Sequence, residues 1–260
     1  MGIVNTKKWL NEHAQDPIEL CKKLIPYFEG DVTSKELYQY LQHFGMYRSG
    51  MNMRQEVEEL VNRKVWADME DRYLYYKKIW NGPDIPVFIL PLRKYGLFAK
   101  GHNKSGLAYP DKLFLFVSSN STKLEREALL IHEYHHVCRL NVQKKKIDEY
   151  TLRDSCILEG LAEYTVQHYL GEKFLAPWIN RYKKETLKMY IEGDFNKLSD
   201  ITRKEKAHDQ FMYGNRKWPE MIGYCIGYHL VKSYFEEESF SAKISFSLSS
   251  KEIIKKQLNR

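Results

Sequence analysis

The stretch Leu124–Leu140 reads LEREALLIHEYHHVCRL and contains the motif HEYHH at positions 132–136. Residues four apart lie on one face of an α-helix. In a helix, His132 and His136 therefore present two imidazole nitrogens to a single point, and Glu133 lies beside that point. The apolar residues around this face predict a buried helix; they are Leu130, Ile131, Tyr134, Val137 and Leu140.

Two neutral imidazoles on adjacent turns match the requirements of a zinc ion. Zinc takes nitrogen ligands at roughly 2.0–2.1 Å, and a catalytic zinc keeps its fourth position for water. Glu133 is placed to take a proton from that water. His135 is an alternative ligand to His136. We expect His135 either to face away from the metal or to contact a ligand side chain without binding the metal itself. The motif predicts a zinc site that needs a third protein ligand.

A candidate for the third ligand occurs in the stretch Cys156–Leu170, CILEGLAEYTVQHYL. Glu159 and Glu163 are four residues apart, on one face of a helix whose other positions are mostly apolar. Burying a carboxylate is costly unless it is paired or bound to a metal. We therefore predict that Glu159 completes a His-His-Glu site and that Glu163 orients a ligand imidazole through its other ring nitrogen. The alternative is that both glutamates lie on a solvated helix face.

Capping signals predict where these two helices begin. Thr122 with Glu125 three positions later is the pattern of a capping box, and Thr151 with Asp154 repeats it ahead of the second helix. Gly171 predicts the end of the second helix.

These motifs resemble those of known proteins. HEYHH followed by Glu159 within EGLAEY resembles the glutamate-liganded zincins, in which a second helix carries the third ligand and a carboxylate four positions later supports a ligand histidine. The run from GLAYPDKLFLFVSS through HEYHHVCR and EGLAEY to GYCIGYHLV is similar to the YjaZ-like family of predicted zinc-dependent proteases. The resemblance covers about residues 85–235.

The resemblance implies a zinc metallopeptidase with one zinc ion per chain and a peptide or protein substrate. Zincins bind an extended peptide by pairing it with an edge strand of their sheet through main-chain hydrogen bonds. The resemblance gives that role to Gly106–Val117. In the mechanism that it implies, zinc activates water and Glu133 is the general base that transfers a proton to the leaving amine.

The dipeptide Gly-Tyr occurs twice at a spacing of four residues, at Gly223-Tyr224 and Gly227-Tyr228. The two glycines share one helix face and predict the close approach of another helix, because glycine otherwise lowers helix stability by roughly 1 kcal/mol relative to alanine. Tyr224 or Tyr228 could stabilise the oxyanion formed during attack on a carbonyl. The alternative is that both tyrosines are core aromatics. Further candidates for the oxyanion role are His208, Tyr213 and His229.

The rest of the chain predicts more helices than strands. Helices are predicted after the caps Asp16 and Thr33, and one long helix over Met53–Trp80 is ended by Asn81-Gly82-Pro83. Ile85–Leu92 and Leu113–Val117 predict strands, with a loop over Gly96–Gly106. After Gly171 the pattern predicts a helix over Trp178–Ile191, an irregular segment over Gly193–Lys217 and a helix over Met221–Phe235.

The predicted fold is α+β: a predominantly helical chain whose zincin-like metallopeptidase region has a small β-sheet and an active-site helix. Residues 1–82 are predicted to form a helical N-terminal region and residues 83–260 the metallopeptidase domain. The two regions can belong to one compact domain.

Composition limits the other classes of function. The chain has a formal net charge of +7 and a pI near 9.0, but its lysines and arginines are spread along the whole sequence without a nucleic-acid recognition motif. No apolar run approaches the ~18 residues of a membrane span. The four scattered cysteines argue against a disulfide framework or a zinc ribbon. We expect a cytoplasmic protein without a membrane or nucleic-acid partner.

Two other functions stay open at this point. The first is a metal-binding protein without catalytic activity, although Glu133 argues against it because a structural zinc needs no base and usually has four protein ligands. The second is a protein-binding or nucleic-acid-binding module that uses the basic surface.

Overall fold

A computed structural model of the chain describes residues 1–50, 52–93 and 104–258. It forms two compact units, Met1–Val137 and Cys138–Arg260. The predicted α+β class, predominantly helical with a small sheet, is confirmed. The predicted boundary near residue 82 falls inside the first unit, and the assignment of residues 83–260 to a metallopeptidase domain stays a prediction. Among the described residues, no helix is both long enough and apolar enough to cross a lipid bilayer.

The first unit contains several helices. Their bounds are Thr6–His13 (α1), Pro17–Lys22 (α2), Ser34–His43 (α3), Met53–Asn62 (α4) and Val65–Trp80 (α5); helix α6, Lys123–Gln143, begins in this unit. Asp16 and Thr33 cap α2 and α3 as predicted. The single long helix predicted over Met53–Trp80 is wrong. Lys64 has a left-handed backbone conformation, with φ of 54°, and this conformation separates α4 from α5.

A four-stranded sheet completes the first unit. The strands are Gly2–Ile3 (β1), Pro86–Pro91 (β2), Lys104–Ala108 (β3) and Leu113–Val117 (β4), in the order β1-β2-β4-β3. The β1–β2 and β2–β4 pairs are parallel, and the β3–β4 pair is antiparallel. Every residue of β2 and β4 is buried, which explains why both strands are continuous apolar runs.

The sheet corrects two predictions. The predicted loop Gly96–Gly106 is wrong over residues 104–106, which belong to β3, and residues 96–103 lie outside the described part of the chain. Of the segment Gly106–Val117, only the first residues belong to β3, the outermost strand of the described sheet, whereas β4 lies inside it. The peptide-binding role of this segment stays a prediction. Strand β1, which has only two residues, was not predicted.

The core of the first unit lies between its N-terminal helices and one face of the sheet. Phe88 of β2 and Phe114 of β4 stack with ring centroids 4.8 Å apart. Leu10, Leu20 and many other buried side chains from the helices join the same cluster. The apolar face of each short helix is therefore buried against the sheet, as amphipathic helices require.

The second unit is helical in its described residues. The helices are Leu152–Leu170 (α7), Lys184–Tyr190 (α8), Asn196–Leu198 (α9), Lys206–Tyr213 (α10), Ile222–Phe235 (α11), Ala242–Ser247 (α12) and Ser250–Leu258 (α13), and a π-helical segment over Ile191–Phe195 joins α8 to α9. The helix predicted over Met221–Phe235 is confirmed. The irregular segment predicted over Gly193–Lys217 is wrong, because it contains α10. Helix α10 has only eight residues, and such a short apolar pattern is a weak signal.

Candidate metal centre

Helix α6 begins as its sequence predicts. The Thr122 backbone N–H donates to Oε2 of Glu125 at 2.7 Å, and the Glu125 N–H donates to Oγ1 of Thr122 at 3.2 Å, which completes the capping box. About three turns further into the helix, the hydroxyl of the buried Tyr134 donates to the Pro83 carbonyl at 2.9 Å. The helix is therefore fixed by its cap and by a buried hydrogen bond.

His132 and His136 point to the same place. Their Nε2 atoms are 3.0 Å apart, and their rings lie 4.6 Å apart at an angle of 85°. Two nitrogens on one tetrahedral zinc ion, each ~2.0–2.1 Å from the metal, are separated by about 3.3 Å. The spacing of four residues therefore produces a nitrogen pair whose separation is close to that of zinc ligands.

Helix α7 also has the predicted limits. Oγ1 of Thr151 accepts from the Asp154 N–H at 3.4 Å, and Oδ2 of Asp154 accepts from the Thr151 N–H at 3.1 Å. Gly171 ends the helix with φ of 87°, a left-handed value that favours glycine.

The structure brings the three predicted ligands together. One ligand atom from each of His132, His136 and Glu159 lies within 4.8 Å of the other two. Within the part of the chain that the structure describes, this is the one group of three or more histidine, cysteine or acidic side chains that meets this distance. Two imidazole nitrogens and one carboxylate oxygen fit a catalytic zinc, since such a site has three protein ligands and one open position.

His135 is not a member of this group. Its side chain is fully buried, and its ring lies 6.4 Å from the Trp80 ring in an edge-to-face arrangement. Of the two histidines that could pair with His132, the ligand group contains His136.

Glu133 lies against the edge strand β3. A Cβ atom added to Gly106 would be 2.5 Å from Oε1 of Glu133 and would overlap its Cγ and Cδ atoms. The Glu133 residue is only 8% exposed. The sequence pattern does not predict this contact, because 27 positions separate the two residues and Gly106 falls in a predicted loop.

Glu163 is buried in α7, with 6% of the residue exposed. Its Oε2 accepts a hydrogen bond from the Ala176 backbone N–H at 3.0 Å. This bond ties α7 to the segment after Gly171. The predicted role of Glu163 in orienting a ligand imidazole stays a prediction.

Helices α7 and α11 contact each other through their backbones. A Cβ atom at Gly160 would lie 2.7 Å from the Tyr228 backbone nitrogen, and one at Gly227 would overlap the carbonyl group of Cys156. The close helix approach predicted from Gly223 and Gly227 is confirmed. Gly160, which directly follows Glu159, is the complementary position, and it was not predicted from the sequence.

The predicted tyrosines differ in their surroundings. The Tyr228 hydroxyl donates to Oε1 of Gln167 at 2.6 Å, and burial raises the pKa of Tyr228. The Tyr224 ring lies 5.7 Å from the Tyr213 ring. Tyr213 is 49% exposed. Partial desolvation raises its pKa, a hydrogen bond with Tyr224 opposes this effect, and the negative charge of Glu159 raises the pKa further. Tyr213 and Tyr224 therefore form a pair near the candidate ligand Glu159.

The two further histidine candidates have other surroundings. His208 accepts or donates at both ring nitrogens, 2.9 Å from Oγ of Ser155 and 2.8 Å from Oδ1 of Asp209, and so connects α10 to α7. Burial lowers the pKa of His208 and also that of His229. The oxyanion role considered for these two histidines stays a prediction.

Comparison with known proteins gives a family and two relatives. The family model described as "Predicted Zn-dependent protease (DUF2268)" matches residues 65–255. The uncharacterized protein YjaZ of Bacillus subtilis (strain 168) is 34% identical over 252 residues, which cover 95% of this chain and 96% of the relative. The uncharacterized protein YjfC of the same organism is 25% identical over 180 residues, which cover 62% of this chain and 60% of the relative. No solved structure matched the chain.

Proposed function

The chain belongs to the family of predicted zinc-dependent proteases, and we propose that it is a zinc metallopeptidase that hydrolyses peptide bonds. The observation that carries the proposal is the convergence of His132, His136 and Glu159, whose ligand atoms lie within 4.8 Å of one another. Glu133 occupies the position next to His132 in the same helix. A site that only stabilises the fold needs no such base and usually has four protein ligands.

His132, His136 and Glu159 would hold one zinc ion. When bound, zinc acts as a Lewis acid, which polarises a carbonyl group and lowers the pKa of water toward ~7. The two imidazoles and one carboxylate leave one net positive charge at the site, because zinc carries two charges and Glu159 supplies one negative charge.

Glu133 is the proposed general base. Its carboxylate accepts a proton from the attacking water while a C–O bond forms at the scissile carbonyl carbon. The same carboxyl group then delivers that proton to the leaving nitrogen as the C–N bond breaks. The products are a new carboxyl terminus and a free amine, so atoms and charges balance. The nearly complete burial of Glu133 keeps bulk water away from the proton transfer.

Strand β3 is the proposed binding site for the peptide. It is the last strand of the described sheet, and it runs antiparallel to β4. The Tyr109 N–H donates to the Lys112 carbonyl at 2.9 Å, so these two residues form a hydrogen-bonded pair that continues the β3–β4 ladder. Hydrogen-bonded and non-hydrogen-bonded pairs alternate along an antiparallel ladder, so the pairs of Ala108 and Gly106 with β4 are non-hydrogen-bonded. The backbone groups of Gly106 and Ala108 therefore point away from β4, toward the position of an added strand.

Tyr224 is the better of the two predicted candidates for stabilising the oxyanion. The Tyr228 hydroxyl donates its proton to Gln167, whereas Tyr224 is paired with Tyr213 near Glu159. Loss of one oxyanion donor typically lowers kcat about 10²–10³-fold. We therefore expect a much larger decrease in kcat for Tyr224→Phe than for Tyr228→Phe.

The experiment compares the native chain with Glu133→Gln on a peptide library, after both proteins have been loaded with zinc. The native chain should cleave peptides and the variant should not, while both contain one equivalent of zinc. Equal cleavage by the two proteins would contradict the role of Glu133. No cleavage by either at full zinc loading would favour a metal-binding protein without catalytic activity. Less than about half an equivalent of zinc, with no uptake on reconstitution, would favour a protein-binding or nucleic-acid-binding module.

A further inference from the structure

We propose that Gly106 is a positioning residue for Glu133, and this inference rests on the proposed peptidase function. Because Gly106 has no side chain, the carboxyl group of Glu133 lies directly against the backbone of β3. The strand that binds the peptide and the base that acts on it are thereby held at a fixed distance. A side chain at position 106 would separate them.

The backbone conformation of Gly106 does not explain the glycine. Five glycines of the described chain have positive φ, and Gly106 is not among them. Any residue could adopt its extended conformation. The space around it is the limiting factor, because all three of the nearest atoms that an added Cβ would meet belong to Glu133. The glycine is therefore required by Glu133 and not by the strand.

The rest of β3 is fixed from the opposite face of the sheet. Oγ of Ser105 donates to the Phe44 carbonyl at 2.7 Å, and the partly buried Leu107 packs against the core cluster of the N-terminal helices. Successive side chains of a strand point to opposite faces, so Gly106 faces the other way, toward α6. The strand cannot move away from Glu133 without breaking these contacts.

Gly106 thus has two functions at one position. Its pairing with Leu115 is of the non-hydrogen-bonded kind, so its N–H and C=O point to the edge where the peptide is proposed to bind. Its missing side chain makes room for the base. An alanine at this position keeps the backbone groups but displaces the Glu133 carboxyl group, because Ser105 and Leu107 hold the strand in place.

The first experiment measures kcat and KM for Gly106→Ala. Misplacing a catalytic group by about 1 Å can cost ~10²-fold in rate, so we expect kcat to fall at least about tenfold. KM and zinc content should stay close to those of the native chain. The matched control is Gly193→Ala, where an added Cβ meets no atom within 4 Å, and it should behave as the native chain. An unchanged kcat, or a loss that comes only from KM or from zinc, would overturn the proposal.

A second experiment does not depend on catalysis. The Tm is measured for Gly106→Ala in the native chain and again in a Glu133→Ala background. The added methyl group should lower Tm in the native chain and lower it clearly less once the Glu133 side chain has been removed. Equal decreases in both backgrounds would overturn the proposed contact, even if the native chain proves to have no peptidase activity.

The double variant also covers the case in which Gly106→Ala fails to fold. Folding of the double variant, with no folding of the single variant, would support the contact. Failure of both, with Glu133→Ala folded, would overturn it, because the glycine would then be required for a reason other than Glu133.

Discussion

Helix α6 carries two of the candidate ligands and helix α7 carries the third, but the two helices place them differently. In α6 the residues His132 and His136 are four apart, so the pitch of the helix alone brings their Nε2 atoms to 3.0 Å. In α7, Glu159 is the residue that belongs to the ligand group, and the other two members lie on α6. Its position depends on what α7 packs against.

The packing of α7 depends on glycines. Gly160 directly follows Glu159 and contacts the backbone of α11 at Gly227 and Tyr228. In contrast, α6 needs no close backbone contact to bring its histidines together. The nitrogen pair is therefore a local property of one helix, whereas the position of the third ligand depends on the packing between two helices.

The largest expected effect comes from removing one member of the local pair. His136→Ala leaves one imidazole and one carboxylate, and zinc affinity should fall by more than the ~10–100-fold that follows loss of a supporting hydrogen bond. Competition with a metal chelator measures the affinity. His135→Gln, three residues from His132 but outside the ligand group, is the control and should keep zinc. If His135→Gln lost zinc and His136→Ala retained it, the ligand pair would be His132 and His135.

A smaller effect on zinc is expected when the packing is changed. In Gly227→Ala the added methyl group would overlap the Cys156 carbonyl, so α7 and α11 must move apart. Such overpacking typically costs about 1–3 kcal/mol, and it should also shift Glu159 and weaken zinc binding while the histidine pair remains. Denaturant unfolding with chelator present and chelator competition measure the two effects separately.

The control for this prediction is Gly193→Ala, whose added Cβ meets no neighbour within 4 Å. If Gly227→Ala destabilised the chain but left zinc affinity unchanged, the placement of Glu159 would not depend on α11. The contrast between α6 and α7 would then be wrong.

The smallest effect concerns the beginning of α7 and leaves zinc affinity unchanged. Partial burial of Asp154 disfavours its charged form, but hydrogen bonds from Lys145, Ser250 and Thr151 outweigh this and lower its pKa to about 2. A carboxyl group whose pKa is lower in the folded state stabilises the fold above its unfolded pKa of ~3.9, and this contribution is lost as the pH falls toward 2. The free energy of unfolding of Asp154→Asn should therefore vary less between pH 4 and pH 2 than that of the native chain.

The exposed Asp31, replaced by asparagine, controls for the loss of one charge. An identical pH dependence of Asp154→Asn and the native chain would show that the contacts of Asp154 do not stabilise its charged form. The bonds of Asp154 to Lys145 and Ser250 would then add nothing to the capping box of α7. That box would resemble the one of α6, in which Glu125 bonds to Thr122.

The sequence predicted the features that depend on short spacings. Both capping boxes, the histidine pair, the end of α7 at Gly171 and the helix α11 follow from residues within a few positions of one another. It also predicted that Glu159 is the third ligand, because a carboxylate on a mostly apolar helix requires a partner. The cytoplasmic location and the peptide substrate stay predictions.

Contacts between residues that are far apart in the sequence came only from the three-dimensional fold. It made β3 the edge strand, placed Gly106 against Glu133, joined Gly160 to Gly227 and brought Tyr213 near Glu159. A spacing pattern fixes geometry only along one helix or strand, because the angles of the backbone repeat there. Contacts between elements depend on packing in three dimensions, and a glycine carries no side chain from which its neighbour could be inferred.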